Sequence, residues 1–270
     1  MATHDIKSTN PAGPNLITSW QQCRLKAPPY LFPDDHILRK PEARSYIAKH
    51  RTFEKFIASR DFDPARGHKL QLGLLPVPYV GNLQQASVFI LMLNPGFDLG
   101  DYFAEQVSPA LHATLIRNLH QTNDSDQFPF WCLDPQFAWT GGFQYWRPRL
   151  DPIITRLAEQ KHLSYPKALE HVAQAVACIE LIPYHSMSFK LRAQFSRQLA
   201  SRSKVIEYVA DVLVPRARNG EVVIVAARGG ATWNLPQHEN IVVYEKSETR
   251  SAHLSLKSWG GKLIARQLGV

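Results

Sequence analysis

Asn94, Glu180, His185, Arg228 and His253 are the residues whose types could do chemistry and whose places share one theme: each stands at or near the end of a short apolar run. The run Val88 to Leu93 stops at Asn94-Pro95-Gly96, "ACIELIP" carries Glu180 and leads into His185-Ser186, "VVIVAA" opens onto Arg228-Gly229-Gly230, and "NIVVYEK" precedes Ser251-Ala252-His253-Leu254-Ser255 and Lys257. If the runs are parallel strands, these ends gather at one rim, where α/β proteins collect ligands. The set is an amide, a carboxylate, two imidazoles, hydroxyls and bare glycine backbone. The set contains no pair of carboxylates close in sequence for paired acid/base work. "GGATW" lacks the Gly-Lys-Ser/Thr ending of a phosphate loop, and His185, His238 and His253 lack metal-ligand spacing and an acidic cluster, so no metal and no cofactor is expected. A hydrolase with Ser186 or Ser255 as nucleophile and His185 or His253 as base would want a Gly-x-Ser-x-Gly elbow and an orienting acid, and neither is present.

The elements that must position this rim follow from the same spacing. Four short apolar strands, most separated by helical spans, predict a three-layer α/β/α fold with a short central parallel four-stranded sheet. Ser108-Pro109 reads as a cap and first residue of a helix to about His120, Asp151-Pro152 as the start of another, and Ser164 to Pro166 as a third. Residues 121–149 carry many aromatics and no clear period, which reads as a long loop serving as a lid or ligand wall. Pro76, Pro78 and Gly81 predict an extended approach loop to the first strand. Upstream, residues 1–18 read as a loose arm and residues 42–59 as a helix with a basic outer face. The division expected is 1–73 as an N-terminal arm and helical extension, packed outside a domain of residues 74–270.

At 270 residues the chain is long enough for a full core, and 44% hydrophobic with 20% charged content is ordinary for a globular protein. Thirty-one Lys and Arg against 23 Asp and Glu leave a net charge of +8, with a pI near 9.4. That balance favours a polyanionic partner such as DNA. Arg192, Arg197, Arg202 and Lys204 near the second strand's exit are candidates for its basic face. Cys23, Cys132 and Cys178 are too few and too far apart for a disulfide framework. With no signal-like or membrane-length apolar run, the expectation is a cytoplasmic protein with no membrane association and no obligate protein partner.

"LMLNPGF", "IELIPYH", "EVVIVAARGGATW" and "SAHLS" together resemble, in order and spacing, the motifs of the uracil-DNA glycosylase superfamily, nearest in the first motif to the mismatch-specific thymine/uracil branch. The resemblance covers roughly residues 74 to 270. It implies a monofunctional DNA glycosylase that hydrolyses the N-glycosidic bond of a flipped base and leaves an abasic site. Asn94 would then position the attacking water and His253 would stabilise the departing base. Gly96, Phe97, Tyr102, Glu180 and His185 would line the base pocket, and Arg228, Ser251, Ser255 and Lys257 would contact the DNA backbone.

Two departures from the family pattern matter. Leu254 replaces a proline in the last motif, and Glu180 stands where a base-reading Asn is expected. An ionised Glu only accepts hydrogen bonds, which suits the amino group of a cytosine derivative and repels the O4 of uracil. The superfamily includes an antiviral branch acting on glucosylated hydroxymethylcytosine in phage DNA, and such a base is the substrate expected here. The alternatives are a non-catalytic DNA-binding or modified-base-sensing module of the same fold and an enzyme acting on free nucleotides.

Overall fold

The structure is a computed structural model in which residues 12–245 and 254–270 are described. Its centre is a five-stranded sheet of order β3-β5-β4-β6-β7. The strands are β3 (Tyr79–Val80), β4 (Val88–Met92), β5 (Val176–Glu180), β6 (Val223–Ala226) and β7 (Ile241–Val243), following a separate two-stranded parallel pair, β1 (Ile47–Ala48) and β2 (Leu70–Gln71). Every residue of β4, β5 and β6 is buried. That is why these strands read as unbroken apolar runs, since helices cover both faces.

The sheet corrects the expectation of a four-stranded parallel one. It is mixed, because β3 joins the edge antiparallel to β5, with Tyr79 opposite Ile179 and Val80 opposite Cys178. β3 lies inside the Pro-rich approach loop, where two residues give no alternation to read. Its pairing is imposed by tertiary contacts: the Asn118 side chain donates to Tyr79 O at 2.7 Å and accepts from Gly81 N at 3.1 Å, and the Tyr79 hydroxyl donates to Leu119 O. Gly81 has φ +100°, and a Cβ there would sit 2.6 Å from Val176 O, so only glycine lets the loop pass this close to β5.

In chain order the helices are α1 (Ala12–Gln21), α2 (Phe53–Ile57), α3 (Asp101–Val107), α4 (Pro109–His120), α5 (Gly141–Lys161), α6 (Tyr165–Ala175), α7 (Ala193–Ser196), α8 (Ala200–Tyr208), α9 (Val214–Arg218), α10 (Gly230–Trp233) and α11 (Trp259–Leu268). A π-helical turn, Val209–Leu213, joins α8 to α9. One face of the sheet, through Phe89, Leu91 and Ile224, packs with Trp20, Phe32 and Leu38 of the N-terminal segment and with Val205 and Leu213. The other face, through Ile90, Cys178 and Val225, packs with Leu150, Ile154, Val172 and Ile264 of α5, α6 and α11. The N-terminal residues thus share a core with the sheet.

Two helical expectations are revised. Residues 42–59 form a 3-10 turn (Pro41–Ser45), the β1 strand and the short α2 in place of one helix. Their apolar side chains serve different clusters, Ala43 and Ile47 the sheet face and Phe56 a small cluster with Leu74, Phe97 and Tyr102. The aromatic segment is not all loop, since α5 starts at Gly141. The Thr140 hydroxyl accepts from Phe143 N to cap it, and Pro152 lies inside the helix.

Candidate functional site

The parallel strands β5, β4, β6 and β7 place Asn94, Glu180 and Arg228 along one rim. Beyond β4 the ladder to β5 continues, Leu181 N donating to Met92 O and Ile182 N to Leu93 O, so the Asn94 loop stays stitched to the 180s. The Asn94 amide nitrogen faces the Ser186 hydroxyl at 2.9 Å and Pro95 O at 2.8 Å, with Tyr184 O and Ser186 O at 3.4 and 3.5 Å. Three carbonyls can only be met by the NH2 side of the amide. Among the described residues none donates a hydrogen bond to Asn94 Oδ1, which leaves a fixed acceptor at the rim. The adjoining Gly96 is exposed with a φ outside the left-handed region, and a Cβ built on it would meet nothing within 4 Å. Among the described residues, neither backbone conformation nor a neighbour demands glycine there, and none of them fills the space above it.

His185 is a fastener. Its Nδ1 lies 2.8 Å from Gly96 O and its Nε2 3.1 Å from Leu75 O, so both ring nitrogens point at carbonyls of the surrounding loops. Burial pulls its pKa below the ordinary histidine value, although the two carbonyls favour the charged ring. Leu75 N in turn donates to Glu105 Oε2 at 3.1 Å. With His185 engaged in this way, no imidazole among the described residues hydrogen-bonds Ser186, whose hydroxyl accepts from Asn94. Phe97 and Tyr102 pack inward, Tyr102 stacked on Phe56 at 4.7 Å between ring centres and Phe97 edge-on to the same ring at 5.5 Å.

Glu180 is 6% exposed. Cys178 Sγ donates to its Oε1 at 3.6 Å, and its Oε2 has no partner among the described residues. Burial raises its pKa to about 8, against the opposing hydrogen bond from Cys178 and the nearby Arg228 charge. Burial thus favours the protonated carboxyl, which is a donor as well as an acceptor, over the ionised, acceptor-only group expected from sequence. Arg228, expected on the DNA backbone, is half-buried with its charge facing Glu180 and Tyr145.

On the opposite face of the sheet, Leu93, Leu181, Ser196, Arg197, Arg202 and Thr232 border a groove of about 470 Å³. Burial first, then the like charge of Arg197, pulls Arg202 below the ordinary guanidinium value, which marks two cations crowded together. An anion between them would relieve that crowding. The wall behind is held from far away in sequence. Asp35, 1% exposed, accepts from the Tyr184 hydroxyl, from Ser201 Oγ at 2.7 Å and from Ser201 N at 3.0 Å. It thereby caps α8, whose own preceding residue Leu199 supplies no side-chain cap.

Of the late motif, Ser251 and His253 lie outside the described residues. Lys257 is exposed, and Ser255 O accepts from Ser258 N at the start of α11. A Cβ on Gly261 would fall 2.0 Å from Ser255 O, so glycine there lets the loop lie against the helix. No group of three metal-binding side chains occurs among the described residues, and no helix among them is long and apolar enough to cross a membrane.

No family model, curated protein or solved structure matches the chain. The site is therefore read from its own geometry. Sequence reasoning missed Asp35, which stands outside any periodic element, and it missed Tyr145 and Arg149, which lie in the stretch read as loop.

Proposed function

We propose that this chain is a DNA glycosylase that hydrolyses the N-glycosidic bond of a flipped pyrimidine derivative and leaves an abasic site. The observation that carries this reading is the Asn94 amide, tied down through its nitrogen by Ser186 Oγ and Pro95 O, with Oδ1 left as a fixed acceptor beside open space at Gly96. A water held on Oδ1 is oriented without being strongly deprotonated. That suits a reaction in which the sugar develops cationic character before water adds. The four motif segments that resemble the uracil-DNA glycosylase superfamily support the same reading, as does the net charge of +8. The Arg197–Arg202 groove and Lys257 are the proposed phosphate contacts.

A neutral Glu180 does not by itself separate a cytosine edge from a uracil edge, because it both gives and takes hydrogen bonds. The substrate panel therefore includes uracil, hydroxymethylcytosine and glucosylated hydroxymethylcytosine in matched oligonucleotides. The test is single-turnover release of base at saturating protein, read as alkali-labile sites. Release by the unmodified chain, slowed on the order of 10² to 10³ by Asn94→Ala, is the expected result. DNA binding with no base release from any oligonucleotide would favour the non-catalytic binding module, and unchanged release by a folded Asn94→Ala would remove Asn94 from the mechanism.

A further inference from the structure

Behind Glu180 lies a second set of polar groups that the chemistry above leaves unused. Tyr145 Oη, Arg149 Nε and Trp131 Nε1 are, like Glu180 Oε2, buried atoms with no hydrogen-bond partner among the described residues. Tyr145, Arg149 and Glu180 belong to one place. A Cβ on Gly142 would meet Cys132 Sγ at 2.9 Å and the Trp131 ring at 3.1 Å, so glycine lets the start of α5 close onto residues 131–132. Tyr145 and Arg149 follow on the same helix face at three and seven residues. The Arg149 guanidinium lies 3.5 Å from the centre of the Tyr145 ring and donates to Tyr145 O at 2.7 Å. The charges facing the Tyr145 hydroxyl are Arg149, Arg228 and Glu180. Leaving several buried polar atoms unsatisfied in one cluster is costly, which proteins tolerate where a ligand completes the bonds.

The position suits one ligand in particular. Met92 is the register partner of Glu180, and Asn94 follows two residues later, so Asn94 and Glu180 stand on neighbouring strand ends at the same rim. Resting on the glycosylase reading, we propose that the departing pyrimidine is received beside Glu180, Tyr145 and Arg149, and that the Arg149 guanidinium takes up the charge the base acquires as it leaves. The bond between C1′ and the ring nitrogen breaks with its electron pair on the base. Water oxygen bonds to C1′, one water proton is released, and the base takes a proton at the freed nitrogen, so one water is consumed per base. Arg149 supplies a donor and a positive charge toward a base gaining negative charge.

The test uses the full chain and matched oligonucleotides bearing uracil or 5-fluorouracil and cytosine or 5-fluorocytosine, because fluorine makes each base a better leaving group and lessens its need for a cation. Arg149→Met should slow release of the unfluorinated base on the order of 10²-fold and of its fluorinated partner about ten-fold less, with Arg149→Lys recovering part of the loss. Tyr145→Phe keeps the ring beneath the guanidinium and should weaken inhibition by the free base about five-fold, one hydrogen bond's worth. Equal slowing of both bases by Arg149→Met, or release at the unmodified rate, would overturn the assignment while leaving the glycosylase reading standing. Should Arg149→Met fail to fold, unchanged free-base inhibition in Tyr145→Phe would overturn it instead. An unmodified chain that releases none of the four bases, nor any of the earlier panel, would sink both.

Discussion

Replacing Glu180 by Gln should make the protein's stability less sensitive to pH, in a direction fixed by burial. The carboxyl has an ordinary value of 4.5 and titrates at about 8 in the folded chain, because burial strips it of water more than Cys178 and Arg228 compensate. Between those two values the unfolded chain has released the proton while the folded chain keeps it. The folded state binds more protons, so stability is full below 4.5, falls as pH rises, and levels off above about 8. Each pH unit in that window is worth about 1.4 kcal/mol, which puts the whole contribution on the order of 5 kcal/mol. Gln has a similar shape and no such proton. Glu105, raised by burial to about 8, and Asp101, raised to about 7, impose the same trend on both proteins and cancel in the comparison. Urea unfolding of the two proteins from pH 5 to pH 8 reads the effect directly. The stability difference should move toward Gln as pH rises. If the two proteins lose stability in parallel over that range, Glu180 is ionised throughout, and the account of a neutral, two-way hydrogen-bonding carboxyl at the rim is wrong.

Three further outcomes are expected. Asp35→Ala should lower unfolding stability by about 3 kcal/mol, since it strands the Tyr184 hydroxyl and the Ser201 amide and hydroxyl in a dry setting; a urea midpoint close to the unmodified one would contradict the clamp. The double change Arg197→Gln and Arg202→Gln should flatten the dependence of DNA affinity on salt by about two phosphate contacts, visible as a slope change near 2 in a plot of log affinity against log salt, and an unaltered slope would place the DNA elsewhere. Gly96→Ala should unfold within about 0.5 kcal/mol of the unmodified protein, because a Cβ there meets nothing within 4 Å, yet should slow base release if substrate occupies that space; equal activity would show that the opening is not used.

What the sequence disclosed depended on how locally each feature is encoded. The ends of β4, β5 and β6 were legible because fully buried strands leave unbroken apolar runs, and Asn94-Pro95-Gly96 punctuates one of them. Helix α4 was legible from Ser108, whose hydroxyl accepts from Leu111 N, and from Pro109 at the first turn. The edge strand β3 was not, because its two residues owe their pairing to Asn118 and Leu119, some forty positions away. Helix α5 was hidden by Gly141-Gly142 at its start and by Pro148 and Pro152 within it, residues that lower helix propensity yet are tolerated because Trp146, Leu150, Ile153, Ile154 and Leu157 bury against the sheet. Missing the first turns of α5 meant missing Tyr145 and Arg149. The upward push on the Glu180 pKa was equally out of reach, since it follows from three-dimensional burial.

The Asp35 clamp bears on how the chain acquires its site. Asp35 and Tyr184 are separated by 149 positions, and Asp35 and Ser201 by 166. Closing loops of that length carries a large entropic cost that only later contacts offset. During synthesis the segment around Asp35 leaves the ribosome long before Tyr184 and α8 exist, so Trp20, Phe32 and Leu38 must wait for the sheet face they cover. The loop bearing Tyr184, His185 and Ser186 is therefore held by a residue made 149 positions earlier, and a nascent chain cannot have this clamp until residue 201 has emerged.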